Sequence, residues 1–153
     1  MKGVAILSGG LDSTVSLAAA TRKMKVVLAI TFDYGQRAAK RERDASTKIA
    51  KHYKVPHRVL AIPWLADLTS TALVNRRAAL PVNEMSVRSA KAVWVPNRNG
   101  VFIEVAAAVA EALGADTVLA GFNREEAATF PDNSREYLAA INGALRYSTR
   151  SRV

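Results

Sequence analysis

The densest chemistry in the chain lies in six residues, Ser8-Gly9-Gly10-Leu11-Asp12-Ser13. An apolar run, Val4-Ala5-Ile6-Leu7, leads into them, and a mainly apolar stretch from Thr14 to Ala20 leads out. Strand, glycine turn and helix in that order make a site for an anion. Gly9 and Gly10 let the backbone bend tightly and approach a ligand with no Cβ in the way. The amides of the turn, of Leu11 and of the next helical residues lack internal acceptors and point at one spot. The helix dipole adds its positive end there, so a phosphate is the natural guest. Ser8, Ser13 and Thr14 can add hydroxyl donors. No Gly-Lys-Ser/Thr follows the glycines, so this is not a Walker loop. An acid, Asp12, stands where that loop has its lysine. A carboxylate beside phosphates is repelled unless it orients the loop amides or holds Mg²⁺. The competing reading is a plain strand-to-helix turn with Asp12 as its N-cap.

Two more polar clusters follow β-prone runs. Val26 to Phe32 ends in Asp33-Tyr34-Gly35-Gln36-Arg37, and Thr117 to Ala120 ends in Gly121-Phe122-Asn123-Arg124-Glu125-Glu126. In an open parallel sheet all three would share the carboxyl edge, where ligands bind. The first would take phosphates. The second, with Phe32, Tyr34 and Gln36, lies where a base or ribose could sit. The third, with Asp132 nearby, could meet a second substrate. No Cys or Ser nucleophile is paired with a histidine; His52 falls on a solvated helix and His57 at a strand start, and neither is expected to be catalytic. No metal-ligand spacing is present. Such a site positions and neutralises phosphates, which is most of what phosphoryl or adenylyl transfer requires.

The elements that must hold these clusters alternate β-α-β-α-β with short links. That pattern predicts an α/β fold, a doubly wound parallel sheet of four to five strands with helices on both faces. The 153 residues fit one domain spanning 1–153, half of them hydrophobic, and should bury roughly 70% of the unfolded surface. A helix is expected from Ala38 to about Tyr53, buried along Ala45, Ile49 and Tyr53 and stopped by Pro56. Residues 75–95 show no period and carry Arg76, Arg77, Arg88 and Lys91, the profile of a lid or a disordered loop. An amphipathic helix should follow, with Phe102, Val105, Val109 and Leu113 on one face and Gly114 as its stop. A final helix to about Arg146 has Asn133 or Ser134 as N-cap, with Glu136 placed for a capping box with Asn133. Ser148 to Val153 reads as the start of a fifth strand.

Composition bounds the partners. Lys and Arg number 22 against 13 Asp and Glu, a net charge of +9, which favours a small anionic ligand over nucleic acid, since no RNA-binding signature appears. There is no cysteine, so disulfides and thiolate metal sites are excluded and a reducing cytoplasm is expected. The N-terminal apolar run is too short for a signal peptide. The Ala/Val-rich run from Val101 to Leu113 is interrupted by Glu104 and Glu111 and is too short to span a bilayer.

The hexapeptide after an N-terminal strand resembles the pyrophosphate loop of the ATP-pyrophosphatase (PP-loop) superfamily. Phe32-Asp33-Tyr34-Gly35-Gln36-Arg37, Val95-Pro96-Asn97-Arg98-Asn99, and Gly121-Phe122-Asn123 with Phe130-Pro131-Asp132 together resemble the 7-cyano-7-deazaguanine synthase family. The resemblance implies an ATP-dependent ligase acting on 7-carboxy-7-deazaguanine and ammonia, in the making of queuosine and archaeosine precursors. It implies ATP and Mg²⁺, with phosphates on Ser8, Gly9, Gly10, Leu11, Asp12, Ser13 and Thr14 and adenosine near Phe32, Tyr34 and Gln36. Asp12, Arg37 and Arg98 would serve the reaction, the two arginines on the α-phosphate and the carboxylate. Asn97, Arg98, Gly121, Asn123 and Asp132 would meet the substrate, Asp132 accepting from a guanine-like N1–H and amino group. Position 38 is Ala where the family commonly has histidine, so no role for that histidine carries over. The family pattern continues through a fifth strand to a zinc-binding cysteine cluster, for which this sequence has no residues; a truncated chain is the expectation. An unfinished strand leaves a sheet edge unpaired, so a homodimer is expected. Other adenylating members, a tRNA thiolase or an amidotransferase ATP domain, and a nucleotide-binding fragment without turnover are the competing readings.

Overall fold

The computed structural model describes residues 1–75, 93–150 and 153. The segment expected as a lid, 75–95, falls mostly outside them, as do residues 151 and 152 of the expected fifth strand.

Four parallel strands form one sheet in the order β3-β2-β1-β4: β1 (Lys2–Ile6), β2 (Lys25–Asp33), β3 (His57–Ala61) and β4 (Thr117–Leu119). Helices α1 (Leu11–Thr21) and α2 (Ala39–His52) make the first two crossovers, and a short helix, α3 (Trp64–Asp67), follows β3. Helix α4 (Arg98–Ala112) leads to β4. After β4 come α5 (Arg124–Ala127), a 3₁₀ turn at Pro131–Asn133, and α6 (Arg135–Ser148). The α/β class with helices on both faces is therefore as the alternation predicts.

Side-chain alternation sorts the core onto the two faces of the sheet. Ala5, Leu7 and Ala29 pack with Leu17 and Ala20 of α1 and Ala50 of α2. Val4, Leu28, Ile30 and Phe32 pack on the other side with Ala106 and Ala110 of α4. The register between β1 and β2 shifts between Gly3 and Val4, so that Gly3 pairs with Val26 but Val4 with Leu28. The extra residue lets Val26 and Ala29 join one face while Leu28 joins the other.

Several helix faces differ from expectation. In α4 the buried residues are Gly100, Ile103, Ala106, Ala107 and Ala110, while Leu113 is 48% exposed. The helix is covered twice, by the sheet and by α6 through Ile103, Ala107, Ile141 and Leu145, so one apolar stripe cannot describe it. Small alanines let the backbones close in where the contact is tightest. In α2, Ser46 and Ala50 are buried, and Ala45, Ile49 and Tyr53 only half so. Ser46 satisfies its hydroxyl on the Glu42 carbonyl at 2.7 Å. The chain leaves α2 through Lys54 in a left-handed conformation (φ 55°) rather than at Pro56. Ser134 caps α6 by accepting from the Tyr137 amide at 3.1 Å, so the box with Asn133 does not form. Ser148 belongs to α6, and no fifth strand exists among the described residues.

Candidate functional site

β1 has β2 on one side and β4 on the other, and the connections leave it in opposite directions. That is the topological switch point of the sheet, where a crevice opens at the strands' carboxyl ends. The loop after β1 and the loop after β4 form its walls.

The β1 loop is knitted by its own polar groups. Gly10 is the N-cap of α1, which overturns the reading of Asp12 as the cap. The Gly10 carbonyl accepts from the Thr14 amide at 3.1 Å and from the Ser13 and Thr14 hydroxyls at 3.1 and 2.7 Å. The Ser8 and Ser13 hydroxyl oxygens lie 3.1 Å apart, and the Ser8 and Gly10 amides donate to Ser13 Oγ and Ser8 Oγ at 3.3 Å. This fixes the turn and leaves the first amides of α1 without i−4 acceptors. Gly9 sits at φ +81°, and a Cβ there would stand 2.9 Å from Ala45 Cβ. Only glycine allows both the turn and its close contact with α2.

The β4 loop presses against the same helix end. A Cβ on Gly121 would lie 2.5 Å from the Ser13 nitrogen and 2.7 Å from the Asp12 carbonyl carbon. Asn123 caps α5 by accepting from the Glu126 amide at 2.8 Å. Its amide nitrogen donates to Asp12 Oδ2 at 3.1 Å.

Between these walls lies a cleft of about 300 Å³. Ser8, Gly10, Leu11, Asp12, Ser13, Phe32, Tyr34, Arg98 and Gly121 line it among the residues singled out from sequence. Phe32 stacks on Phe102 with centroids 4.3 Å apart, making a flat apolar wall. Burial pushes the Tyr34 hydroxyl up from its ordinary pKa, and the Arg98 guanidinium, donating to it at 3.5 Å, pulls the other way. Glu42, Asn99, Phe102, Phe122, Glu126 and Asn133 also line the cleft. Phe122 and Glu126 belong to the third strand-end cluster, whereas sequence reading gave Glu42, Asn99, Phe102 and Asn133 no individual site role.

Other expected residues lie aside. Gln36 is buried and fully used: its Oε1 accepts from the Tyr34 amide at 2.9 Å, and its Nε2 donates to the Phe32 carbonyl at 3.1 Å and Glu42 at 2.7 Å. Arg37 lines a neighbouring cavity of about 330 Å³ with Tyr34 and Glu42. Its amide and guanidinium donate to the Leu73 and Ala72 carbonyls at 2.9 and 3.4 Å. Asn97 is the left-handed residue (φ 52°) that starts α4; neither it, Gly9, Thr14 nor Asn123 lines the cleft.

Asp132 lines an adjoining cavity of about 200 Å³ together with Trp94, Phe130, Arg98, Asn99, Glu126 and Asn133. Arg98, Asn99, Glu126 and Asn133 therefore line both spaces. Burial raises the Asp132 carboxyl above its ordinary pKa, opposed by the Arg98 charge and a hydrogen bond with Asn99. Its Oδ1 is buried and has no hydrogen-bond partner among the described residues. No cluster of three or more His, Cys, Asp or Glu among the described residues could hold a metal ion, and no described helix is long and apolar enough to cross a membrane.

A glycine loop opening a helix at the switch point of a parallel sheet defines a doubly wound α/β domain built to hold an anion at its strand ends. In fold it is similar to a U34-tRNA thiolase from Methanococcus maripaludis with its 4Fe–4S cluster, at TM-score 0.53 and 18% identity over 92% of this chain and 46% of that one. The chain belongs to the queuosine biosynthesis protein QueC family, whose model matches residues 2–153. Relatives named 7-cyano-7-deazaguanine synthase are 54% identical in Pelotomaculum thermopropionicum, 52% in Bdellovibrio bacteriovorus and 46% in Methanosarcina mazei. These alignments cover 99–100% of this chain and 70–73% of the relatives.

Proposed function

We propose that the chain is an ATP-dependent ligase that converts 7-carboxy-7-deazaguanine and ammonia to 7-cyano-7-deazaguanine in the cytoplasm. The observation that carries this reading is Arg98, one guanidinium facing both the loop-walled cleft and the Asp132 cavity. An acid held in the second space with its carboxylate at Arg98 would meet the α-phosphorus of ATP held in the first.

ATP would place its phosphates on Ser8, Gly9, Gly10, Leu11, Ser13 and Thr14 at the end of α1, and its adenosine against Phe32 and Tyr34. The substrate carboxylate oxygen attacks the α-phosphorus and pyrophosphate leaves, giving an acyl-adenylate. Ammonia displaces AMP to form the amide. The amide oxygen then attacks the α-phosphorus of a second ATP, releasing pyrophosphate and one N–H proton, and loss of AMP with the other N–H proton leaves the nitrile. Charge neutralisation is the main demand at each activation, and it falls to Arg98, with Arg37 in the neighbouring cavity as the second candidate. Asp12, Glu42 and Glu126 line the cleft against the single cation Arg98 among its described residues. Polyphosphate would be repelled there without a divalent cation, and Asp12 and Glu42 are the residues that would hold hydrated Mg²⁺. Gln36, Asn97, Gly121 and Asn123 shape the walls, and Asp132 reads the substrate edge. The sequence has no cysteine for the family's zinc cluster, and no step here uses zinc.

Incubation with ATP, ammonium and 7-carboxy-7-deazaguanine should yield the nitrile and AMP. Nucleotide binding with no product under these conditions would reduce the chain to a binding module, and no ATP binding at all would overturn the reading.

A further inference from the structure

Trp94 and Phe130 form an aromatic pair with no evident structural duty. Their rings are parallel within 8° with centroids 6.1 Å apart. Neither ring belongs to any of the four apolar clusters of the core, and both are only half-buried. They line the cavity of about 200 Å³ together with Asp132, whose Oδ1 is buried with no hydrogen-bond partner among the described residues. A buried acceptor without a donor costs free energy that a ligand N–H would recover. Parallel aromatic faces select a flat π-system, because offset stacking maximises contact and satisfies the ring quadrupoles.

We propose that Trp94 and Phe130 form a stacking platform on which one face of the heterocyclic substrate lies, while Asp132 accepts from its N–H edge. This rests on the proposed ligase reading and adds to it the residues that set ring specificity. Trp94 is tied in place through its carbonyl, which accepts from Thr69 Oγ1 at 3.4 Å. Phe130 sits at the start of the 3₁₀ turn that carries Asp132. Phe130 and Asp132 are thus carried by one turn. The arrangement also separates two similar guests. A guanine-type edge presents two donors to a carboxylate, whereas the adenine edge presents the lone pair of N1, which a carboxylate repels. ATP is thereby kept out of the smaller cavity.

The chain has two tryptophans, Trp64 and Trp94, and Trp64 is 50% exposed outside both cavities. In a Trp64→Phe variant, indole emission reports Trp94 alone. Saturable quenching by 7-cyano-7-deazaguanine, weaker binding of hypoxanthine, which lacks the amino group, and no response to adenine are expected. Asp132→Asn should weaken the titration roughly ten-fold or more. In turnover, Trp94→Leu and Phe130→Leu should raise KM for the heterocyclic acid roughly ten-fold and leave KM for ATP unchanged, while Trp94→Phe restores it. If nitrile is formed but saturating heterocycle leaves Trp94 emission unaltered, or Trp94→Leu leaves the acid's KM unaltered, the platform is refuted and the ligase reading stands. If no nitrile is formed but the quenching series holds, the ligase reading fails and the heterocycle site survives. Should Trp94→Leu not fold, the Trp64→Phe titration decides by itself.

Discussion

The side-chain amide of Asn123 donates to the Asp12 carboxylate at 3.1 Å, joining the loops that follow β4 and β1 across 111 residues of sequence. The same side chain accepts from the Glu126 amide. One residue therefore starts a helix and latches the two walls of the cleft together. Asn123→Ala should lose the cap, at about 1 kcal/mol, together with the latch. Asn123→Asp keeps an acceptor for the cap but sets a second carboxylate against Asp12. Urea denaturation should show Asn123→Asp the more stable of the two, while titration with ATP shows both weakened several-fold. Equal ATP affinity in Asn123→Asp and the unaltered chain would remove the latch from the account.

Two glycines of the cleft should respond oppositely to the same methyl group. At Gly121 an added Cβ meets Ser13 and Asp12 backbone at 2.5–2.7 Å, atoms that cannot yield without moving α1. Gly121→Ala should destabilise by about 1–3 kcal/mol, the cost of overpacking, visible as a lowered Tm. At Gly10, φ is −77° and the nearest atom to an added Cβ is Ser8 Oγ at 3.4 Å. Gly10→Ala should melt normally but bind ATP more weakly, because the methyl group occupies the phosphate approach.

Removing the guanidinium shared by the two cavities should cost turnover more than folding. Arg98→Ala is expected to lower the rate of pyrophosphate release about 10²–10³-fold, the usual loss for one charge-stabilising donor. The Tyr34 hydroxyl, held down only by Arg98 against the effect of burial, should then titrate still higher, which ultraviolet difference spectra at high pH would read. Arg98→Lys restores the charge but not the planar donor fork and should recover activity only in part.

His57 gives the fold an acid-side sensitivity. Thr31 Oγ1 donates to the Leu7 carbonyl at 2.6 Å and lies 2.8 Å from His57 Nε2. With that hydroxyl proton committed, the imidazole supplies the proton of the second bond. Burial lowers the pKa of His57 below its ordinary 6.5, so the folded state favours the neutral ring. Its contribution to stability is whole above about pH 6.5, the value in an unfolded chain. That contribution falls as pH drops through 6.5 toward the folded pKa, because the unfolded state takes up the proton first. The ring C2 proton should show a titration midpoint under 6.5 by NMR in the folded protein. The urea midpoint should drop between pH 7 and 5 by more than it does in His57→Gln.

The sheet and its three strand-end clusters were legible because each follows from local pattern, a β-prone run closed by glycine and polar residues. What local pattern cannot carry is which way a side chain turns once packing chooses. Gln36 looked like a ligand group, but three hydrogen bonds hold it beneath the strand end. Arg37, its neighbour, is drawn to the carbonyls of Ala72 and Leu73. Glu42, Asn99 and Glu126 reach the cleft from helices whose rotation about their own axes is set by the core. Asn99 stood inside a motif already singled out, and its place beside Arg98 was the available signal. Phe130 likewise stood in a motif beside Asp132, but Trp94 carried no such signal, since their meeting depends on how α4 and the turn after α5 are docked.

The place of β1 has a consequence for how the molecule comes to exist. It precedes the other three strands in sequence and is a central one in the sheet, yet its second neighbour is β4, Thr117–Leu119. During synthesis one side of β1 has no partner until Leu119 has emerged, and pairing must then close a long loop. The ligand crevice is bounded by those same two strands, so it cannot form piecemeal. Nucleotide binding is in that sense an assay of one long-range pairing: a chain that has not yet joined β1 to β4 has nowhere to hold the phosphates.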